Sequence, residues 1–359
     1  MGTEFDQLYT DVISQALLKL QSNHHQDWCL PRAIAYQPSL SGTKRKANDE
    51  VDLPTILKHL AAAEEKAPQV KQLNLRWVKE VDQEDCEHQH SSKDSCHCHE
   101  ITEPWDHHIS NSARHPRKLQ VSSSEYKPTN FIIPPGASFY HADCALSMPF
   151  HTAVRKQARS EQTASRFECI VIDPPWPNSS VSRARRSGYV TAPTMWDIRQ
   201  MVFDMDIDVL LADNGLIAVW ITNKPAVRNL VLGEDGFFES WGVTLEEEWL
   251  WVKTTRSGVP VSPLNALWRK PYEVLLLGRK QPREQPNDDS DSQSIRRRVI
   301  AGVPDLHSRK PCLKELIDPL MPRHSNGRTL EVFARYLIAD WWSWGNETLK
   351  FNHERCWIC

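Results

Sequence analysis

The apolar run Cys169-Ile170-Val171-Ile172 stops abruptly at Asp173-Pro174-Pro175-Trp176. A short run rich in β-branched residues reads as a buried strand, and two prolines in succession end it, because each fixes φ and lacks an N–H. A carboxylate and an indole are therefore fixed at the tip of a core strand, and in an open α/β sheet that tip is where ligands bind. The surrounding pattern fits such a sheet. Strands are expected at Phe167–Ile172, Gly215–Thr222, Val243–Lys253, Tyr272–Gly278, Val299–Val303, Thr329–Phe333 and Thr348–Phe351, with helices at Thr194–Val202, Pro225–Leu232 and Pro311–Leu320. Strands alternating with helices place the fold in the α/β class.

The chain has 359 residues, enough for one large domain with an added segment. Three regions are expected. Residues 1–79 form an N-terminal helical segment, with helical periodicity over 1–22 and a second helix over Leu53–Glu65. Residues 80–127 read as a polar, mobile insert rich in Cys and His. Residues 128–359 carry the globular pattern. Within the insert, Cys86, His88, His90, Cys96, His97, Cys98 and His99 are candidate zinc ligands. Neighbouring residues of an extended chain point to opposite sides, so a disordered His-rich tract is the competing reading, and no metal is assigned.

Thirteen glycines are few, and neither GxGxxG nor GxxxxGK[ST] occurs, which removes the glycine-rich phosphate cradles. A net charge of -3 confines any nucleic-acid surface to a local patch. Nine scattered cysteines suit a reducing compartment, and no apolar run reaches the roughly 18 residues of a membrane span, so no membrane association is expected.

The chemistry of Asp173-Pro174-Pro175-Trp176 suits a planar amine. An exocyclic NH2 offers two donors, which the Asp173 carboxylate and the Pro174 carbonyl can accept, while Trp176 stacks on or flanks the ring. Drawing both hydrogens toward acceptors helps keep the nitrogen lone pair out of the ring, free to attack an electrophilic methyl group held in line. Asp173 then orients the amine and supports a nitrogen that becomes positive. A plain strand-ending turn is the alternative for the tetrad by itself.

Several further blocks follow in order: VWITNK (Val219–Lys224), EWLWVKTTRSG (Glu248–Gly258), KPYEVLLLGR (Lys270–Arg279), LHSRKP (Leu306–Pro311), LEVFAR (Leu330–Arg335) and WSWGNETLKF (Trp342–Phe351). With the tetrad they resemble the DPPW class of adenine N6-methyltransferases, in the branch called methyltransferase-like protein four, over roughly Phe131 to Phe351. The resemblance implies a Rossmann-like fold in permuted motif order, S-adenosylmethionine as methyl donor, and Asp173, Pro174, Pro175 and Trp176 as the catalytic tetrad. It also assigns Lys310, Glu331, Phe333, Arg335, Asn346 and Glu347 to the donor, with Asp143 the looser match. These residues suit the task chemically. Glu331 can accept from ribose hydroxyls, Arg335 and Asn346 can bond sugar and adenine, and Lys310 is a compact cation for the donor's carboxylate.

Basic and aromatic residues flank the tetrad. Arg183, Arg185, Arg186 and Tyr189 follow it, and Arg256, Trp268 and Lys270 lie in a second loop; both suit single-stranded nucleic acid. Arg296-Arg297-Arg298 can add to that surface. The resemblance implies RNA as partner, with 2′-O-methylated adenosine of small nuclear RNA as the target; because some members of the family pair with a degenerate subunit, a protein partner stays open, with the N-terminal segment able to take its place. DNA adenine methylation and a non-catalytic nucleic-acid-binding role are the alternatives. The family and the Lys44-Arg45-Lys46 run suggest the nucleus; a solvated loop is the other reading of that run, and the cytoplasm the alternative location.

Overall fold

The computed structural model describes residues 8–15, 74–78, 100–101, 108–122, 128–177, 194–255, 258–266, 270–281, 295–304, 309–321 and 328–354, without side chains at 74–78 and 100–101. These residues form two compact units. The smaller holds the described residues of Gln37–Val154 and Phe333–Cys359, the larger those of Met1–Tyr36, Arg155–Ala184 and Val190–Val332. The expected boundaries at 79/80 and 127/128 differ from this division. Composition groups sequence neighbours, whereas each unit is assembled from segments far apart in the chain.

From the N-terminal segment the described residues 8–15 form helix α1, which belongs to the larger unit and buries Tyr9 and Ile13. The second expected helix, Leu53–Glu65, lies outside the described residues, as do the Lys44–Lys46 run and the ligand candidates Cys86–His99.

In the smaller unit, β1 (Asn74–Val78), β2 (Glu100–Ile101), β4 (Arg117–Ser122) and β5 (Thr129–Ile133) make an antiparallel sheet in the order β2-β1-β4-β5. Strand β6 (Ser138–Tyr140) pairs antiparallel with β3 (His108–Ser110) and parallel with β13 (Trp341–Trp344). Leu119 and Val121 of β4 alternate inward and join Phe131, Ile133, Phe139, Leu337 and Leu349 in one core. Residues 108–122 thus correct the reading of 80–127 as an insert. A strand buried on one face needs apolar residues only at alternate positions, and their polar partners here made the composition look like loop.

Two more expectations are corrected. Thr348–Phe351 forms turns, with Lys350 N–H on Glu347 O and Phe351 N–H on Arg335 O, although burial of Leu349 and Phe351 mimics strand alternation. Helix α2 (Ser147–Glu161) was not expected; its apolar face is only Phe150, Val154 and Ala158, at the i, i+4, i+8 spacing, amid polar and basic residues.

The larger unit is built on strands β7 (Phe167–Ile172), β8 (Leu211–Ile221), β9 (Val243–Lys253), β10 (Tyr272–Lys280), β11 (Arg296–Gly302) and β12 (Thr329–Val332), in the order β11-β9-β10-β8-β7-β12. Strand β7 runs parallel to both neighbours, β8 and β12. Strand β10 is antiparallel to β8 and β9. Helix α3 (Met195–Asp204) starts at Thr194, whose hydroxyl accepts from the Asp197 N–H, and buries Ile198 and Val202. After the short helix α4 (Ile207–Leu210) comes α5 (Pro225–Leu232), with proline in its first turn and Val227 and Val231 inward. A short α6 (Phe237–Ser240) precedes β9. The helix expected at Pro311–Leu320 shrinks to α7 (Lys314–Ile317) and a 3-10 turn at Asp318–Leu320; Pro311 and Pro319 restrict a longer run. Among the described residues no helix is long and apolar enough to cross a membrane.

Candidate active site

Strand pairing decides which residues share an edge in the larger unit. Because β7, β8 and β12 are parallel, their carboxyl ends lie together, with Ile172 opposite both Val219 and Val332. Because β10 is antiparallel to β8, its beginning meets the end of β8, with Val274 opposite Ile221. Strand β9 ends beside the same start, with Val252 opposite Tyr272. One edge therefore gathers Asp173, Trp220, Lys253, Glu273 and Glu331. Strand β7 is the point where the chain order reverses, from β8 on one side to β12 on the other, the usual ligand position in α/β sheets.

Asp173 follows β7 directly and is 7 % exposed. Trp176 is buried, and its indole N–H donates to the Trp220 carbonyl at 2.7 Å, which fixes the ring as a wall. The Trp176 backbone N–H donates to the Pro174 carbonyl at 2.8 Å, closing a tight turn. A carbonyl oxygen has two lone pairs, so Pro174 retains acceptor capacity for a ligand.

Lys310 has partners within the protein that the sequence did not show. Its ammonium was expected to serve the carboxylate of a bound donor. It lies 3.0 Å from Asp173 Oδ1 and 2.9 Å from Glu273 Oε2, and 5.4 Å from the centre of the Trp220 ring. Glu273 Oε1 in turn holds Lys253 Nζ at 2.5 Å. The four charges alternate along one edge. Burial pushes the Glu273 carboxyl up, but Lys310 and Lys253 outweigh it and bring it down to about 2. Burial likewise opposes the charged form of Lys310, and Asp173 and Glu273 outweigh that and raise it. Sequence reasoning missed Glu273 and Lys253. The available signal was a charged residue at the end of a buried apolar strand, where the alternative to pairing is an unbalanced buried charge.

Glu331, on β12, is 8 % exposed, and its Oε2 has no hydrogen-bond partner. Burial, reinforced by Asp173 and opposed by Lys310, raises its carboxyl to about 8. An orphaned buried acceptor is expensive and calls for an outside donor such as a hydroxyl.

The remaining donor candidates belong to the smaller unit. Buried Arg335 donates through Nε to Glu347 Oε2 at 3.1 Å, and Lys350 reaches Glu347 Oε1 at 2.7 Å, so Arg335 and Glu347 are brought together. Phe333 adopts φ 57°, a rare conformation for a bulky side chain, and Gly345 passes so close that an added Cβ would lie 3.2 Å from Phe333 Cα. Asn346 is half-buried, and Asp143 is exposed with Oδ1 accepting the Ala145 N–H at 2.9 Å. His141, not singled out from sequence, is buried against the Thr348 hydroxyl at 2.9 Å, and burial lowers it to about 3.

Arg183, Arg185, Arg186, Tyr189, Arg256 and Trp268 lie outside the described residues, while Lys270 is half-buried. The structure corrects the expectation for Arg296–Arg298. They lie on β11, where Arg296 and Arg298 pair with Glu247 and Arg297 with the buried Glu248, so each is engaged by a carboxylate of β9, although Arg296 stays exposed. Among the described residues no three His, Cys, Asp or Glu side chains are placed to hold a metal ion.

The family model described as MT-A70 matches residues 167–347, from the start of β7 to Glu347. The N6-methyladenosine RNA methyltransferase MTA1 of Pyricularia oryzae is 43% identical over 198 residues, covering 55% of this chain and 51% of that protein. The N(6)-adenine-specific methyltransferase METTL4 of Homo sapiens is 38% identical over 229 residues, covering 62% of this chain and 44% of that protein. A DNA N6-methyl methyltransferase of Caenorhabditis elegans is 29% identical over 232 residues, covering 63% and 55%. The chain spans about half the length of these relatives.

Proposed function

The chain belongs to the MT-A70 family, and from that premise we propose that it transfers a methyl group from S-adenosylmethionine to the exocyclic N6 amine of adenosine in RNA. The finer form of the proposal takes 2′-O-methylated adenosine of small nuclear RNA as the target and the nucleus as the place of action. The observation that carries the reading is Asp173, buried at the switch point of the sheet, with the fixed Trp176 indole beside it and Lys310 on its carboxylate.

The residues fit the donor on one structural ground, the orphaned Glu331 Oε2, an acceptor suited to ribose hydroxyls. When bound, the donor supplies an electrophilic methyl group on a sulfonium. The chain's own groups then do the following. Asp173 accepts from one N–H of the amine, and the Pro174 carbonyl accepts from the other. Trp176 flanks the ring and excludes water from one face. The negative charge of Asp173 supports the nitrogen as it becomes positive. Lys310 balances that charge in the unliganded protein, since a lone buried carboxylate would be costly.

The test is methyl transfer by the purified full chain to four matched oligonucleotides: plain RNA, RNA with a 2′-O-methylated target adenosine, single-stranded DNA and duplex DNA, read by nucleoside mass spectrometry. Highest activity on the 2′-O-methylated RNA, abolished in Asp173→Ala, is the expected outcome. The name of the Caenorhabditis elegans relative makes DNA the second reading, and preference for either DNA would establish it instead.

A further inference from the structure

Lys310 serves two carboxylates at once, and the second belongs to no motif assigned above. Its ammonium lies 3.0 and 3.2 Å from the two oxygens of Asp173 and 2.9 Å from Glu273 Oε2. Both Asp173 oxygens are thus within reach of the same cation. An amine that needs Asp173 as acceptor has to compete with Lys310, and the stronger the hold of Lys310 on Asp173, the weaker the orientation of the amine. Glu273 draws the ammonium from the opposite side. Glu273 is itself fixed, because Oε1 is taken by Lys253 Nζ at 2.5 Å and Lys253 also lies 5.1 Å from the centre of the Trp251 ring. The backbone places these groups firmly. Glu273 is opposite Trp251 in the β10–β9 register, and Lys253 closes β9.

We infer that Glu273, held by Lys253, is a positioning residue that acts through Lys310 to leave Asp173 able to accept from the target amine. This rests on the proposed N6-methyl transfer. Neither residue touches the reacting atoms. A compact ammonium shared between two carboxylates stays between them. With one carboxylate removed, it closes on the other.

The experiment compares wild type, Glu273→Gln, Glu273→Asp, Lys253→Met and the Lys253→Met/Glu273→Gln double variant, all as the full chain. Measured are kcat on the best oligonucleotide, binding of S-adenosylhomocysteine, binding of adenosine in its presence, and the thermal midpoint. Glu273→Gln is expected to lower kcat about tenfold to a hundredfold, the scale of a misplaced reacting group. It should weaken adenosine binding, leave S-adenosylhomocysteine binding within about twofold, and be partly rescued by Glu273→Asp. Lys253→Met should act in the same direction, with the double variant no worse than Glu273→Gln, because both residues lie on one path. Unchanged kcat and adenosine binding in Glu273→Gln would overturn the inference, as would a loss shared equally by donor-product binding and thermal midpoint. If wild type methylates none of the oligonucleotides, the reading of function fails; adenosine binding by Glu273→Gln still decides the role of Glu273, weakened binding supporting it and unchanged binding overturning it.

Discussion

Glu331→Gln separates the cost of the candidate donor site from its use. In the unliganded protein burial and Asp173 raise the Glu331 carboxyl from 4.5 to about 8. The sign follows from linkage. A carboxyl raised on folding is neutral in the folded chain and ionised in the unfolded chain between those two values, so stability is fully present below pH 4.5 and is lost as pH rises toward 8. At about 1.4 kcal/mol per pH unit, the full loss is about 5 kcal/mol, of which roughly 3 to 4 falls between pH 5 and pH 8. Glutamine keeps the shape and cannot ionise. Urea unfolding of the unliganded full chain should therefore show the advantage of Glu331→Gln over wild type growing by roughly 3 to 4 kcal/mol from pH 5 to pH 8. The same substitution should weaken S-adenosylhomocysteine binding about twofold to tenfold, the scale of one hydrogen bond at a neutral group. An advantage that stays constant with pH, or shrinks, would refute the assignment of Glu331 as a carboxyl held neutral by burial. A larger advantage with unchanged ligand binding would refute only its role toward the donor.

Other outcomes follow from the packing. Glu273, lowered from 4.5 to about 2, contributes stability above pH 4.5 that is lost as pH falls toward 2, so acid unfolding of Glu273→Gln should be less steep than that of wild type over that interval. Glu248 is fully buried between Arg228 and Arg297; Glu248→Ala strands both cations and should cost about 3–5 kcal/mol in urea unfolding. Ile13 is fully buried from α1, and Ile13→Ala should cost about 2–5 kcal/mol, whereas Tyr9→Phe, which loses only the hydroxyl that accepts from Arg228, should cost about 1. Gly345→Ala places a Cβ 3.2 Å from Phe333 Cα at φ 153° and should lower the thermal midpoint; an unchanged midpoint would show that this backbone yields easily.

The α/β class, most of the strands in the larger unit, and the tetrad at the end of β7 were legible because each is a local property. A run of β-branched residues and a pair of prolines mean the same thing wherever the chain later goes. The thinly apolar elements were not legible. Strand β4 shows only Leu119 and Val121 to the core, and α2 only Phe150, Val154 and Ala158, too few to stand out from polar neighbours. Arg296–Arg298 looked like a basic patch until the parallel pairing of β11 with β9 set them beside Glu247 and Glu248. Lys310 has the same history. Its charge was readable, but its partners lie 137 and 37 residues away, at Asp173 and Glu273, and long-range pairing leaves no mark in local composition. By itself the sequence determined the strand end that carries Asp173 and Trp176, but not Glu273 and Lys253 beside it. The order of the strands decided which charges meet there, because a buried ion takes its partner from the neighbouring strand end rather than from its neighbours in the chain.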